Sequence, residues 1–127
     1  MGSIIGNSRR PDVTFYINGR IDITSRIAKQ LCLTEGDVID IDKRNGEYLL
    51  YVRYRSDCAI GRHEARCKAS KNNSNNFRAY SKQLTDAILN ACGAEKAQLA
   101  SGAVVELEDI GIAVPLVTRN NLYDKRD

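Results

Sequence analysis

Residues 13–24 read Val-Thr-Phe-Tyr-Ile-Asn-Gly-Arg-Ile-Asp-Ile-Thr, and the architecture of the chain hangs on this stretch. Val13, Phe15 and Ile17 alternate with Thr14 and Tyr16, the two-residue period of a strand with one buried face. Asn18-Gly19 follows, the pair favoured in a type I′ turn because both central positions there need positive φ. Beyond it Ile21 and Ile23 alternate with Arg20, Asp22 and Thr24, so a returning strand is expected. Residues 13–24 are therefore a hairpin.

Outward from the hairpin, Thr24 or Ser25 can cap a helix, with Ile27, Ala28 and Leu31 on one apolar face as far as Cys32. Thr34-Glu35-Gly36-Asp37 reads as a turn and Val38-Ile39-Asp40-Ile41 as the start of a strand. Asn45-Gly46 marks a second type I′ turn, leading into a strand over residues 48–55. That strand is apolar on both sides, with Tyr48, Leu50, Val52 and Tyr54 on one and Leu49 and Tyr51 on the other. It needs cover on both faces. Two short hairpins around a two-turn helix supply too little, so a second copy, or the chain's own latter half, must interlock with them.

The run Gly19-Arg20-Ile21-Asp22-Ile23-Thr24, then Ile27, Leu31 and Leu33, then Gly36-Asp37-Val38-Ile39-Asp40-Ile41, resembles the AbrB/MazE/SpoVT swapped-hairpin family. The spacing holds without a gap over residues 19–41, and the flanking strands extend the match to residues 12–55, under half of the chain. The resemblance implies an α+β, mostly β fold. Its N-terminal module is hairpin, short helix, hairpin, and it interleaves with a second chain in a homodimer or higher homo-oligomer. It also implies DNA binding through basic residues of the first hairpin and helix, in a transcription regulator or the antitoxin of a toxin–antitoxin pair. Arg20 matches the family's Gly-Arg pair, and Arg26 and Lys29 fall on the helix where the family carries positive charge. Three features depart from the pattern: Thr24 stands where the family has Pro, the first strand lacks a basic residue, and Asp22 sets a negative charge beside Arg20. An acid near a phosphate opposes binding.

The rest of the chain is read from its residues. The 127 residues are 43% hydrophobic and 28% charged, values of a globular protein, and no run reaches the apolar length that spans a bilayer. No signal peptide opens the chain, so a cytoplasmic location and no membrane partner are expected. The net charge of +3 is unevenly spread: residues 51–82 hold eight Lys and Arg against Asp57 and Glu64, while residues 83–127 are net acidic. The basic middle is either a polyanion footprint or a solvated face.

Residues 1–11, with Arg9 and Arg10, read as a flexible basic arm. Residues 56–76 read as a loop, a basic strand over 62–69 and an Asn-rich linker at 72–76, the candidate boundary. Residues 77–118 read as a helix from Ser81 to a stop at Gly93, a short helical stretch over 94–99, then a hairpin of residues 104–107 and 112–117. Pro115 demotes the last strand to an edge. Residues 119–127 read as a disordered tail. A weak echo relates Ile27 and Leu31 to Leu84 and Ile88, and residues 36–41 to 102–107, as in a degenerate repeat.

Function follows along two lines. In the first, a dimeric DNA-binding regulator uses Arg9, Arg10, Arg20, Arg26, Lys29, Arg53 and Arg55, with Arg20 the candidate for reading a base. In the second, a non-enzymatic structural or assembly protein of phage or mobile-element type docks a protein partner through its C-terminal half. An antitoxin role with residues 119–127 as a toxin-wrapping tail is a lesser variant. No catalytic constellation stands out: His63 lacks a nucleophile partner, and Gly19, Gly36 and Gly46 serve turns rather than a phosphate loop. Cys58, His63 and Cys67 lack a fourth ligand and a CxxC pair, so no metal or other cofactor is expected. The four cysteines are expected as free thiols.

Overall fold

The computed structural model describes residues 11–70 and 75–119. It is an α+β, strand-dominated fold of two antiparallel sheets around one core. In chain order the elements are β1 (Val13–Tyr16), β2 (Arg20–Ile23), α1 (Ser25–Leu31), β3 (Val38–Arg44), β4 (Glu47–Tyr54), β5 (Lys68–Ala69), β6 (Phe77–Tyr80), α2 (Lys82–Cys92), β7 (Lys96–Leu99), β8 (Val105–Leu107) and β9 (Gly111–Leu116). One sheet has the order β5-β6-β2-β1-β7, the other β3-β4-β9-β8. No helix among the described residues is long and apolar enough to cross a membrane.

Both expected hairpins form, with different loops. Arg44 pairs with Glu47 across Asn45-Gly46, and both loop residues have positive φ, as a type I′ turn requires. At the first hairpin only Gly19 is left-handed, at φ +100°, and its N–H bonds to the Tyr16 carbonyl. The loop thus holds three residues, 17–19, and Ile17 lies in it, more than half exposed, instead of on the buried face. A Cβ on Gly19 would meet the backbone of Lys82 only at ordinary contact distance, 3.4 Å, so it is the positive φ that demands glycine here.

The cover that β4 demands comes from the same chain. β9 lies antiparallel to β4 with Leu50 opposite Val114, both fully buried. In the other sheet β6 lies antiparallel to β2 with Ile21 opposite Ala79, again both fully buried. Each sheet therefore joins one hairpin from each half of the chain: β1-β2 to β5-β6, and β3-β4 to β8-β9. The two central pairs mark a pseudo-twofold relation, with β7 added as an extra strand on the free edge of β1. The helices obey it too, since α1 begins after Thr24 and α2 after Ser81, which places Ile27 with Leu84 and Leu31 with Ile88, as the echo has them. The hairpins correspond three residues away from the echoed alignment, because Arg44 matches Leu107 at the turn.

Several expectations are corrected. Residues 96–99 are strand, not helix: Ala97 and Leu99 enter the core opposite Phe15 and Val13, where the edge of β1 offers a ladder. Pro115 is not on an edge strand, because β9 runs between β4 and β8. The Pro115 carbonyl accepts from Gly102 N–H, and in an antiparallel strand a residue's N–H and C=O point the same way. The missing donor therefore faces the short β8 flank and leaves the β4 ladder intact. The sheet edge offered by the C-terminal half is therefore β8, not the strand around Pro115.

The basic strand over 62–69 shrinks to β5, preceded by a stretch in which Cys67 N–H bonds to Asp37 O and Ile39 N–H to Ala65 O. That stretch laces the two sheets together. Asn76, expected in the linker, accepts from Ser25 N–H at 2.8 Å and caps α1. Residues 71–74 lie outside the described residues.

The buried face of α2 is Thr85, Ile88 and Leu89, whereas Ala87 and Ala91 are exposed. Thr85 can be buried because its hydroxyl donates to the Ser81 carbonyl. Ser81 caps α2 by accepting from Leu84 N–H, and the helix ends on left-handed Gly93, as read from the sequence.

Candidate nucleic-acid interface

The pleat of the five-stranded sheet fixes what faces solvent. One set of cross-strand neighbours, Ala79, Ile21, Phe15 and Ala97, is fully buried. The alternate set runs Lys68, Arg78, Asp22, Thr14 and Gln98, and the next runs Tyr80, Arg20, Tyr16 and Lys96. Among the described residues, four basic side chains and two tyrosines of these strands thus share one outer face with one carboxylate, Asp22.

Asp22 organises the middle of this face. Arg20 donates to it twice, Nε to Oδ1 at 3.0 Å and Nη2 to Oδ2 at 2.8 Å, and Arg78 Nε donates to Oδ1 at 3.1 Å. Burial would push the Asp22 carboxyl up, but the hydrogen bonds and charges of the two arginines outweigh it and hold the group below the usual carboxylate range. Two guanidinium groups on one carboxylate leave an excess positive charge. The Arg20 guanidinium also lies 4.7 Å from the Tyr16 ring centre, and Lys96 approaches the same ring at 5.2 Å.

At the β5–β6 end the face drops into a cleft of about 590 Å³ lined by His63, Arg66, Lys68, Ala69, Ser70, Arg78 and Tyr80. No carboxylate is among these lining residues. Arg66 is held by main-chain carbonyls, donating from Nη1 to Ala59 O at 3.1 Å and Arg62 O at 3.2 Å, with no ion pair among the described residues. Tyr80 is about half exposed.

The seven residues singled out from the sequence do not converge on this face. Arg20 lies at its centre. Arg26 is engaged instead beside the start of β1, where Nη1 donates to buried Asp12 at 2.9 Å and to Ser101 Oγ at 3.2 Å. Lys29 is exposed on α1. Arg53, on β4, donates to Asp40 at 2.9 Å and lies near the Tyr54 ring. Arg55 is engaged within the fold, bonding to Asp37 and to the Leu31 and Cys32 carbonyls and so closing the C-terminus of α1. Arg9 and Arg10 lie outside the described residues, as does the tail from 120. The residues overlooked, Arg66, Lys68, Arg78 and Tyr80, belong to the charge-rich segment, where Arg66/Lys68 and Arg78/Tyr80 repeat at the period of a strand.

Among the described residues no cluster of three His, Cys, Asp or Glu side chains is arranged to hold a metal ion. Cys58 is exposed, whereas Cys67 is buried and its thiol is pushed up to about 12 by burial and by the Asp37 charge. Alkylation of the native protein at pH 8 is therefore expected to label Cys32 and Cys58, which are exposed, and to reach Cys67 only after unfolding. Peptide mapping checks this, and rapid native labelling of Cys67 would contradict the core placement.

Compared with models of known protein families, with curated proteins and with solved structures, the chain matches none.

Proposed function

We propose that the chain is a DNA-binding protein of AbrB-like type, acting in transcription regulation, and that it binds through the outer face of the five-stranded sheet. The observation that carries this reading is an outer face on which Arg20 and Arg78 share Asp22, Lys68 lies beside Arg78, and Arg66 lines the adjoining cleft. Such a surface neutralises phosphates and releases counterions. The pairing of one hairpin from each half in both sheets supports the swapped-hairpin resemblance, with the second half standing where a partner chain would stand. A second copy is then not needed to close the core, and a solution mass of one chain is the expected result.

The test is fluorescence anisotropy of a labelled mixed-sequence duplex across a salt series. Binding at low salt that weakens with a log–log slope is expected, and Lys68→Gln is expected to lower the slope by about 1. Asp22→Asn removes the acid that Arg20 and Arg78 share and frees both, so it is expected to tighten binding several-fold at low salt and steepen the slope. No binding by micromolar protein at about 50 mM salt, where such contacts are strongest, would overturn the proposal. An unchanged slope in both variants would move the interface elsewhere.

A further inference from the structure

The outer face is not uniform along its length, and the difference bears on the form of DNA it takes. Resting on the DNA-binding reading, we infer that the cleft at the β5–β6 end receives an unstacked nucleotide of single-stranded DNA. Its base would lie against Tyr80 and its phosphate among Arg66, Lys68 and Arg78.

Three observations converge on this. The first is the state of the two tyrosines. Tyr16 is approached by Arg20 and Lys96, whereas no cation–ring contact among the described residues covers Tyr80, which is 54% exposed and stands at the rim of the cleft. Every base has a π-face, so a ring in that position stacks an unpaired base regardless of sequence; a base inside a duplex already has both faces occupied.

The second is charge. Among the arginines of the fold, Arg20, Arg26, Arg44, Arg53 and Arg55 are each bound to a carboxylate. Arg66 is instead bound to two carbonyls, Arg78 shares Asp22 with Arg20, and Lys68 is the direct cross-strand neighbour of Arg78. His63 is the remaining titratable group lining the cleft, and Glu64 turns away to accept from Ser81 Oγ. Positive charge is therefore left over beside the exposed ring of Tyr80, whereas Arg62, the other described arginine of this segment without an ion pair, lies against the Tyr54 ring at 3.8 Å.

The third is asymmetry. The pseudo-twofold axis through Ile21 and Ala79 relates Arg78 to Arg20 and Tyr80 to Asp22. Where the second half offers an aromatic ring, the first offers an acid. The cleft exists once, as suits a single strand with a direction better than a duplex read by two equivalent halves. Its volume falls in the range of pockets for small organic ligands and admits one nucleotide.

The experiment compares a fluorescein-labelled single-stranded DNA of mixed sequence with its duplex, using the full chain and anisotropy at one fixed salt. The single strand is expected to bind at least about tenfold tighter, and Tyr80→Ala to weaken single-strand binding about tenfold, a distinctly larger loss than it causes in duplex binding. Tyr80→Phe is expected to restore it. Tyr80 is exposed, and circular dichroism of each variant confirms folding. Equal affinity for single strand and duplex, or an equal effect of Tyr80→Ala on both, would overturn this inference and leave the DNA-binding reading standing. Failure to bind either form would overturn both.

Discussion

Asp37→Ala is expected to lower the unfolding free energy by about 3 kcal/mol or more, a large part of the total for a domain of this size. The Asp37 carboxylate is fully buried and accepts four hydrogen bonds: Thr34 N–H at 2.9 Å, Thr34 Oγ1 at 3.1 Å, Ser56 N–H at 2.8 Å and Arg55 Nη1 at 2.9 Å. It thereby ties the turn before β3 to the end of β4 and, through Arg55, to the last carbonyls of α1. Removing it leaves the main-chain N–H groups of Thr34 and Ser56 without their acceptor at a partly buried site. The loss is mainly their desolvation, because Arg55 is half exposed and its ion pair is screened. Asp37→Asn keeps one acceptor oxygen and is expected to cost less. Urea unfolding with an unchanged slope measures both, and an alanine variant within about 1 kcal/mol of the wild type would contradict the network.

Leu50→Ala is expected to cost about 2–5 kcal/mol, the range for a buried leucine whose cavity cannot fully collapse. Leu50 sits between Ile41 on β3 and Val114 on β9, so the deletion opens a hole where the two halves of the chain meet. Val114→Ala on the other side loses fewer atoms. The two together are expected to be non-additive, with a coupling of about 0.5–3 kcal/mol, as holds for residues in contact. Strict additivity would mean that β4 and β9 are not packed together, and the pseudo-twofold arrangement would fall with it.

Much of the fold was legible locally. Ser81 and Gly93 bound α2, Asn45-Gly46 makes its type I′ turn, and the apolar face of α1 is the one its spacing gives. These features depend on φ, ψ and periodicity within a few residues. The first hairpin shows where that stops. Asn18-Gly19 looked the same as Asn45-Gly46, yet Gly19 alone is left-handed and packs close to Lys82.

The candidate site was less legible. Residues 51–82 stood out by charge, but sequence neighbours do not reveal which arginines are neutralised. Arg78 meets Asp22 across 56 positions of chain, and Arg26 meets Asp12 across 14 and Ser101 across 75. Residues 96–99 failed for a related reason. Four residues with Ala97 and Leu99 two apart fit a strand or a helical turn, and the open edge of β1 chose the strand.

Residue order alone was enough for the two N-terminal hairpins, the helices between and after them, and the demand that β4 be covered on both sides, because turn chemistry and hydrophobic period act over short spans of backbone. Three-dimensional packing was needed to say that β9 supplies the cover, that Pro115 can lie inside a sheet, and that uncompensated positive charge remains beside Tyr80. Each of these depends on which distant strand arrives in register, and register is set by burial of Ile21, Leu50 and their partners against one another rather than by any nearby residue.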